Sequence, residues 1–176
     1  MKLPTNQELD ALDMEQFAAY IDEDYKDYFR WASGKEHYRL LFWLSDKIQG
    51  PVYDIGTHRG MSSLALSGMK SPVISYDINP QVRVKNPWVD HRVKNPLEDI
   101  DEIAKAGFVM YDTTHDGHTE RQFFRALCDA GFSGTILFDD IHLNKEMESF
   151  WADLVYPQKY DITGIGHGSG TGVLVI

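Results

Sequence analysis

Apolar residues recur at two different spacings along this chain, and the change from one to the other divides it. From residue 6 to 32, Leu9, Leu12, Phe17, Tyr20, Ile21, Tyr25, Tyr28 and Phe29 fall at helical spacing on a strongly acidic background, which predicts one or two amphipathic helices. Gly34 interrupts this pattern. A further helix is predicted from Lys35 to Lys47, with Tyr38, Leu41, Phe42 and Leu44 inward, and Gln49-Gly50-Pro51 closes it. Beyond that point the apolar runs shorten and become strand-like: Val52 to Ile55, Pro72 to Asp77, Trp88 to Val93, Gly107 to Asp112 and Gly134 to Asp140. Helices predicted from Ser62 to Gly68, Glu120 to Ala130 and Lys145 to Val155 alternate with them, and such alternation predicts a parallel, doubly wound sheet with helices on both faces. Tyr160 to Ile165 and Gly172 to Ile176 are joined by the glycine-rich His167-Gly168-Ser169-Gly170-Thr171. So short a connection requires an antiparallel pair. The expectation is an α/β, Rossmann-like sheet of seven strands, mostly parallel with a C-terminal antiparallel hairpin. Residues 1–34 form an N-terminal helical packing layer or lid on a core of residues 35–176, all in a single domain.

The turn after the first strand carries the most specific chemistry. In Asp54-Ile55-Gly56-Thr57-His58-Arg59-Gly60-Met61-Ser62-Ser63, two glycines bracket a tight bend, and the serines suit the first helical turn. The free N–H groups of that turn favour an electron-rich ligand. Asp54 argues against a dinucleotide pyrophosphate, which would meet a carboxylate there, and for a ligand carrying a cationic group. The second strand ends in Asp77, about 20 residues after Gly56, the spacing at which an acid meets ribose hydroxyls; the alternative role for Asp77 is to cap the turn at Asn79-Pro80. Asn95-Pro96-Leu97-Glu98 follows the third strand, where an adenine edge would lie. With Asp112, Asp139 and Asp140 at later strand ends, the parallel topology gathers five carboxylates on one edge.

Composition narrows the partners. A formal net charge of -10 opposes a nucleic-acid partner, whose affinity rests on clustered Lys and Arg. Cys128 is the single cysteine, and no signal peptide or membrane-length apolar run is apparent, so a cytoplasmic protein off the membrane is expected. Association into a homo-oligomer is left open.

Taken in order, Asp54-Ile55-Gly56-Thr57-His58-Arg59-Gly60-Met61-Ser62, Tyr76-Asp77-Ile78-Asn79-Pro80, Asp112-Thr113-Thr114-His115 and Phe138-Asp139-Asp140 resemble the class I S-adenosylmethionine-dependent methyltransferases. Within that class they resemble the metal-dependent O-methyltransferases of the catechol and macrolide-sugar type. The resemblance spans roughly residues 35–176. It implies S-adenosyl-L-methionine as cofactor, with Gly56, Thr57, Gly60 and Ser62 along its methionine part and Asp54 near its ammonium. Asp77 would take the ribose, and Asn95 and Asp112 would also face the cofactor. Asp112, Asp139 and Asp140 are implied as ligands of a divalent ion, most naturally Mg2+, and His115 as the base toward a small hydroxylated acceptor. His118 and His142 compete for that role. Three rival readings remain: a metal-independent N- or C-methyltransferase, a non-catalytic binder of the same cofactor, and an iron site made by two of His115, His118 and His142 with Asp112 or Asp139.

Overall fold

The computed structural model describes residues 2–32 and 37–176. The chain opens with α1 (Asn6–Asp10) and α2 (Lys26–Ala32), followed by α3 (Tyr38–Ser45), β1 (Val52–Ile55), α4 (Met61–Ser67), β2 (Val73–Asp77) and β3 (Val89–Val93). Then come α5 (Ile100–Ile103), β4 (Phe108–Tyr111), α6 (His118–Asp129), β5 (Thr135–Asp139), α7 (Lys145–Asp153), β6 (Lys159–Asp161) and β7 (Thr171–Val175). The strands form one seven-stranded sheet in the order β3-β2-β1-β4-β5-β7-β6. All neighbours are parallel except β7, which runs antiparallel to both β5 and β6. The expected sheet and its terminal antiparallel pair are therefore present.

Side-chain alternation explains why both faces are covered. Val52, Phe108, Met110 and Leu137 point to one apolar layer with Phe17, Phe29, Leu40, Leu41 and Leu64. Their neighbours Tyr53, Ile55, Val109, Tyr111, Ile136 and Phe138 point to the other, with Phe123, Leu127, Phe150 and Trp151. Every residue of β1 and β4 is buried, as period-two alternation requires when helices lie on both sides. Among the described residues, no helix is long and apolar enough to cross a membrane.

The N-terminal layer departs from the one or two continuous helices read from its periodicity. α1 stops after five residues, held at its start by a reciprocal Thr5–Glu8 capping box, and 3-10 turns at Glu15–Tyr20 and Glu23–Tyr25 precede α2. The break has a tertiary cause. Tyr20 and Asp22 exchange backbone hydrogen bonds with the segment 83–85 at 2.7 and 2.8 Å, and Ile21 bridges Val84, so these backbone groups are lost to a helix. The expected start of the third helix at Lys35, and the boundary at residues 34–35, lie outside the described residues. Near the other end, β6 stops at Asp161, short of the expected Ile165. The Asp161 carboxylate accepts from the Thr163 N–H at 3.1 Å and hydroxyl at 2.6 Å and turns the chain into a 3-10 turn at Thr163–Ile165.

The order in which strands are added reverses between β1 and β4: β1 pairs with β2 on one side and with β4, also parallel, on the other. In such sheets a crevice opens at this point beyond the carboxyl ends of the strands, and Asp54, Asp77, Asp112, Asp139 and Asp140 all stand at that edge.

Candidate functional site

Asp54 is wholly buried. Its Oδ2 accepts from the Ser62 hydroxyl at 2.8 Å and from Ser63, while Oδ1 is buried without a partner. Burial raises the Asp54 pKa, opposed chiefly by the hydrogen bonds from Ser63 and Ser62. A cation brought against the orphan oxygen would restore the charged form. Gly56 takes a φ of +94°, and a Cβ there would lie 1.5 Å from the Asp112 carbonyl oxygen. The near neighbour that demands glycine is thus the end of β4. Gly60 has a similar origin: at φ +84°, a Cβ would meet Val84 Cγ2 at 2.5 Å. Gly60 lines neither of the cavities described here, so it shapes the turn from behind.

A cavity of about 570 Å³ opens over the strand ends and is lined by Gly56, Asp77, Asn95, Asp112 and His115, among others. Asp77 accepts the His58 N–H at 2.8 Å and the Asn79 N–H at 2.7 Å. A carboxylate has about four lone-pair sites, so two remain for ligand hydroxyls. Asn95 lines the cavity, but its side-chain oxygen accepts the Leu97 N–H at 3.0 Å and caps the turn that follows. Ile78 is 72% exposed and, with Pro96 and Leu97, supplies apolar lining to the cavity. This apolar ledge suits the face of a flat heterocycle, and sequence reasoning passed over it. A smaller cavity of about 100 Å³ shares Gly56, His58 and Asp112 and is closed by Thr57, Arg59, Ser62, Tyr28, His37 and Tyr38. Thr57 and Ser62 therefore line only this smaller space, and the Arg59 guanidinium there lies 5.1 Å from the centres of both the Tyr25 and Tyr28 rings.

His115 sits with Nε2 3.0 Å from Asp112 Oδ1 and 3.3 Å from Asp140 Oδ2. Burial works against the imidazolium, yet the Asp112 contact and the charges of Asp112, Asp140 and Asp139 outweigh it and raise the pKa above the ordinary histidine value. Asp112 itself is raised, chiefly by desolvation against the opposing pull of His115. The backbone of His115 is left-handed, at φ 55°. It is clamped from both sides: its N–H donates to Glu120 Oε1 at 3.0 Å and its carbonyl accepts from Asn144 Nδ2 at 2.8 Å. Glu120 is 1% exposed, and its signal in the sequence is a carboxylate on the face of α6 that also carries Phe123, Phe124 and Leu127. His37, His58 and Asp140 are also left-handed, and strained backbone of this kind gathers where a site over-determines it.

The three carboxylates expected around a hard ion are interleaved with imidazoles. His115 stands between Asp112 and Asp140, and His167 Nδ1 lies 3.2 Å from Asp139 Oδ1 and 3.1 Å from Asp140 Oδ1. Asp140 is held below the usual carboxylate range: burial raises it, but hydrogen bonds from His167 and Ser169 prevail. Among the described residues, the group whose candidate ligand atoms all lie within 4.8 Å of one another is His37, Asp139 and His167. An oxygen-only set of Asp112, Asp139 and Asp140 does not fit this arrangement. The histidines named with them are elsewhere: His118 is exposed, and His142 pairs with Asp161 at 2.7 Å. His37 and His167, which complete the group, were not singled out from the sequence.

No family model matches the chain, and no curated protein matches it. Solved structures do. A candidate caffeoyl-CoA O-methyltransferase from Staphylococcus aureus aligns over 97% of this chain and 98% of its own, with a TM-score of 0.63 and 13% identity. The SAH-bound Podospora anserina methyltransferase PaMTH1 aligns over 98% and 97%, with a TM-score of 0.57 and 14% identity. An O-methyltransferase from Bacillus cereus in complex with SAH aligns over 79% and 80%, with a TM-score of 0.56 and 16% identity. This chain has the class I methyltransferase fold. In a class I methyltransferase fold, the cavity beyond β1, β2 and β4 lies at the topological switch point, where ligands of doubly wound sheets bind.

Proposed function

We propose that the chain is an S-adenosyl-L-methionine-dependent methyltransferase that methylates a hydroxyl of a small acceptor. The observation that carries this reading is the cavity over the strand ends, lined by Gly56, Asp77 and Asn95, together with the orphan oxygen of Asp54, buried two residues before Gly56. One carboxylate suits an ammonium, the other a pair of ribose hydroxyls, and the exposed Ile78 suits the adenine face between Asp77 and Asn95. When bound, the cofactor supplies an electrophilic methyl group on a sulfonium.

The chain's own residues position and deprotonate. Thr57 and Ser62 shape the methionine end, and Asp54 and Asp77 hold the two ends of the ligand. The carboxylates of Asp112 and Asp140, 3.0 and 3.3 Å from His115 Nε2, favour a proton on that nitrogen by their charge, and Nδ1 is then the basic one. His115 then takes the proton of the acceptor hydroxyl as methyl transfer proceeds. The N-terminal layer contributes Tyr28 to the wall of the smaller cavity, which supports a covering role for it. The net charge of -10 supports a small acceptor over a nucleic acid. Deprotonation is thus assigned to His115 without an all-oxygen ion site, since imidazoles stand among Asp112, Asp139 and Asp140.

Calorimetric titration with S-adenosyl-L-homocysteine tests the cofactor seat. Asp77→Ala is expected to weaken binding by about 1.5–3 kcal/mol, the worth of hydrogen bonds to a charged group. A folded Asp77→Ala protein with unchanged affinity would overturn the assignment. A screen of hydroxylated acceptors then separates an enzyme from a binder: binding with no turnover across the panel favours the binder.

A further inference from the structure

The carboxylate edge continues past the cofactor cavity into a second constellation, contributed by three separate parts of the chain. His37 precedes α3, Asp139 ends β5, and His167 lies in the loop before β7. His37 is 3% exposed and Asp139 4%, and the side chain of His167 is 20% exposed. Both imidazoles turn Nδ1 toward the same oxygen, Asp139 Oδ1, at 3.5 Å from His37 and 3.2 Å from His167. Their rings stand at 89° to each other with centres 5.7 Å apart, so they approach from different directions instead of stacking.

We propose that His37 Nδ1, His167 Nδ1 and Asp139 Oδ1 bind a divalent first-row transition ion. Two ligand atoms each about 2.1 Å from one ion lie about 3.0 Å apart at a right angle and about 3.4 Å apart at the tetrahedral angle. The separations of 3.2 and 3.5 Å fall at that scale. The His167 Nδ1 has Asp139 Oδ1 at 3.2 Å, Asp140 Oδ1 at 3.1 Å and Ser169 Oγ at 3.2 Å, and a single N–H points well at only one of three. Asp140 Oδ1 and Ser169 Oγ approach this same Nδ1 and also bond each other, so with an ion on the nitrogen they keep each other as partners. Two nitrogens and one oxygen select a borderline ion such as Zn2+, Co2+ or Fe2+ over Mg2+, which prefers an all-oxygen shell. Of the three, His37 also lines the cavity of about 100 Å³ together with Thr57 and Asp112.

The ion site goes beyond methyl transfer and is read without it. Full-length protein stripped with a chelator is titrated calorimetrically with Zn2+ and Mg2+, and with Co2+ followed by its visible absorption. One equivalent of Zn2+ or Co2+ is expected to bind more tightly than Mg2+. His167→Ala and Asp139→Asn are each expected to lower Zn2+ affinity by at least about 10–100-fold, the cost of losing even an outer partner of a ligand, while His118→Ala keeps it. If circular dichroism shows that His167→Ala has lost its fold, His167→Gln carries the same comparison. Mg2+ binding as tight as Zn2+, no stoichiometric Zn2+ binding, or wild-type Zn2+ affinity in the folded ligand variants would each overturn the site. S-adenosyl-L-homocysteine titration of the same samples reports the cofactor seat separately, so failure of one reading is not mistaken for failure of the other.

Discussion

Asn144 joins the start of α7 to the backbone of His115, and its replacement tests whether that histidine is held in place or merely resides there. Its side-chain oxygen caps α7 by accepting the Met147 N–H at 2.9 Å, and its Nδ2 donates to the His115 carbonyl at 2.8 Å. Asn144→Ala removes both. An N-cap is worth about 0.5–2 kcal/mol and a neutral hydrogen bond about 0.5–1.5 kcal/mol, so a loss of about 2 kcal/mol is expected. For a chain of this size that lowers Tm by roughly 4–8 °C, at about 2–4 °C per kcal/mol. Asn144→Asp separates the two contributions, because a carboxylate still caps the helix but cannot donate to His115. That variant should recover most of the stability and none of the clamp. The His115 backbone is left-handed, a conformation that costs ~1–3 kcal/mol outside glycine, so with one clamp gone the imidazole is expected to drift from Asp112. Its pKa, followed by NMR of the ring protons, should then fall from its raised value toward about 6.5 in Asn144→Ala. Wild-type Tm together with an unshifted His115 in Asn144→Ala would refute the clamp.

His115→Ala is expected to leave S-adenosyl-L-homocysteine affinity nearly unchanged while turnover on an acceptor falls by about 10²–10⁴; equal turnover would refute the base role. In the wild type the base works when neutral, and because Asp112, Asp140 and Asp139 raise its pKa against the effect of burial, the ascending limb of kcat against pH should lie above the ordinary histidine value. The same shift gives stability that is full below the unfolded-state pKa and lost as pH rises through the higher folded one; His115→Ala should flatten that part of a Tm against pH profile. Gly56→Ala places a Cβ 1.5 Å from the Asp112 carbonyl oxygen, so the ends of β1 and β4 must part, and a large fall in Tm with lost cofactor binding is expected; a wild-type melting curve would show that the turn relaxes without cost.

The sheet was legible because its evidence is local. Short apolar runs such as Val52–Ile55 and Phe108–Tyr111, separated by helical spacing, leave few ways to bury both faces, and parallel crossovers then bring their carboxyl ends to one edge. Asp54, Asp77 and Asp112 followed from that topology as neighbours of one crevice. The N-terminal layer did not, because its periodicity favoured helix while pairing of residues 20–22 with 83–85 took the backbone hydrogen bonds a helix needed. Gly56 and Gly60 were visible as turn residues, but only packing showed that their missing side chains make room for the Asp112 carbonyl and for Val84. Glu120 and Asn144 looked like an ordinary helical residue and an ordinary cap until the fold set them on either side of His115. The group at Asp139 shows the limit most clearly. Residue order places Asp139 and Asp140 beside Asp112, yet His37 and His167 come from opposite ends of the chain and enter only when α3 and the loop before β7 close over the sheet. The sequence thus determined the sheet and the acids along its edge, which hydrophobic spacing encodes residue by residue; tertiary packing decided which nitrogen meets which oxygen, because that depends on distances between segments that no local pattern records.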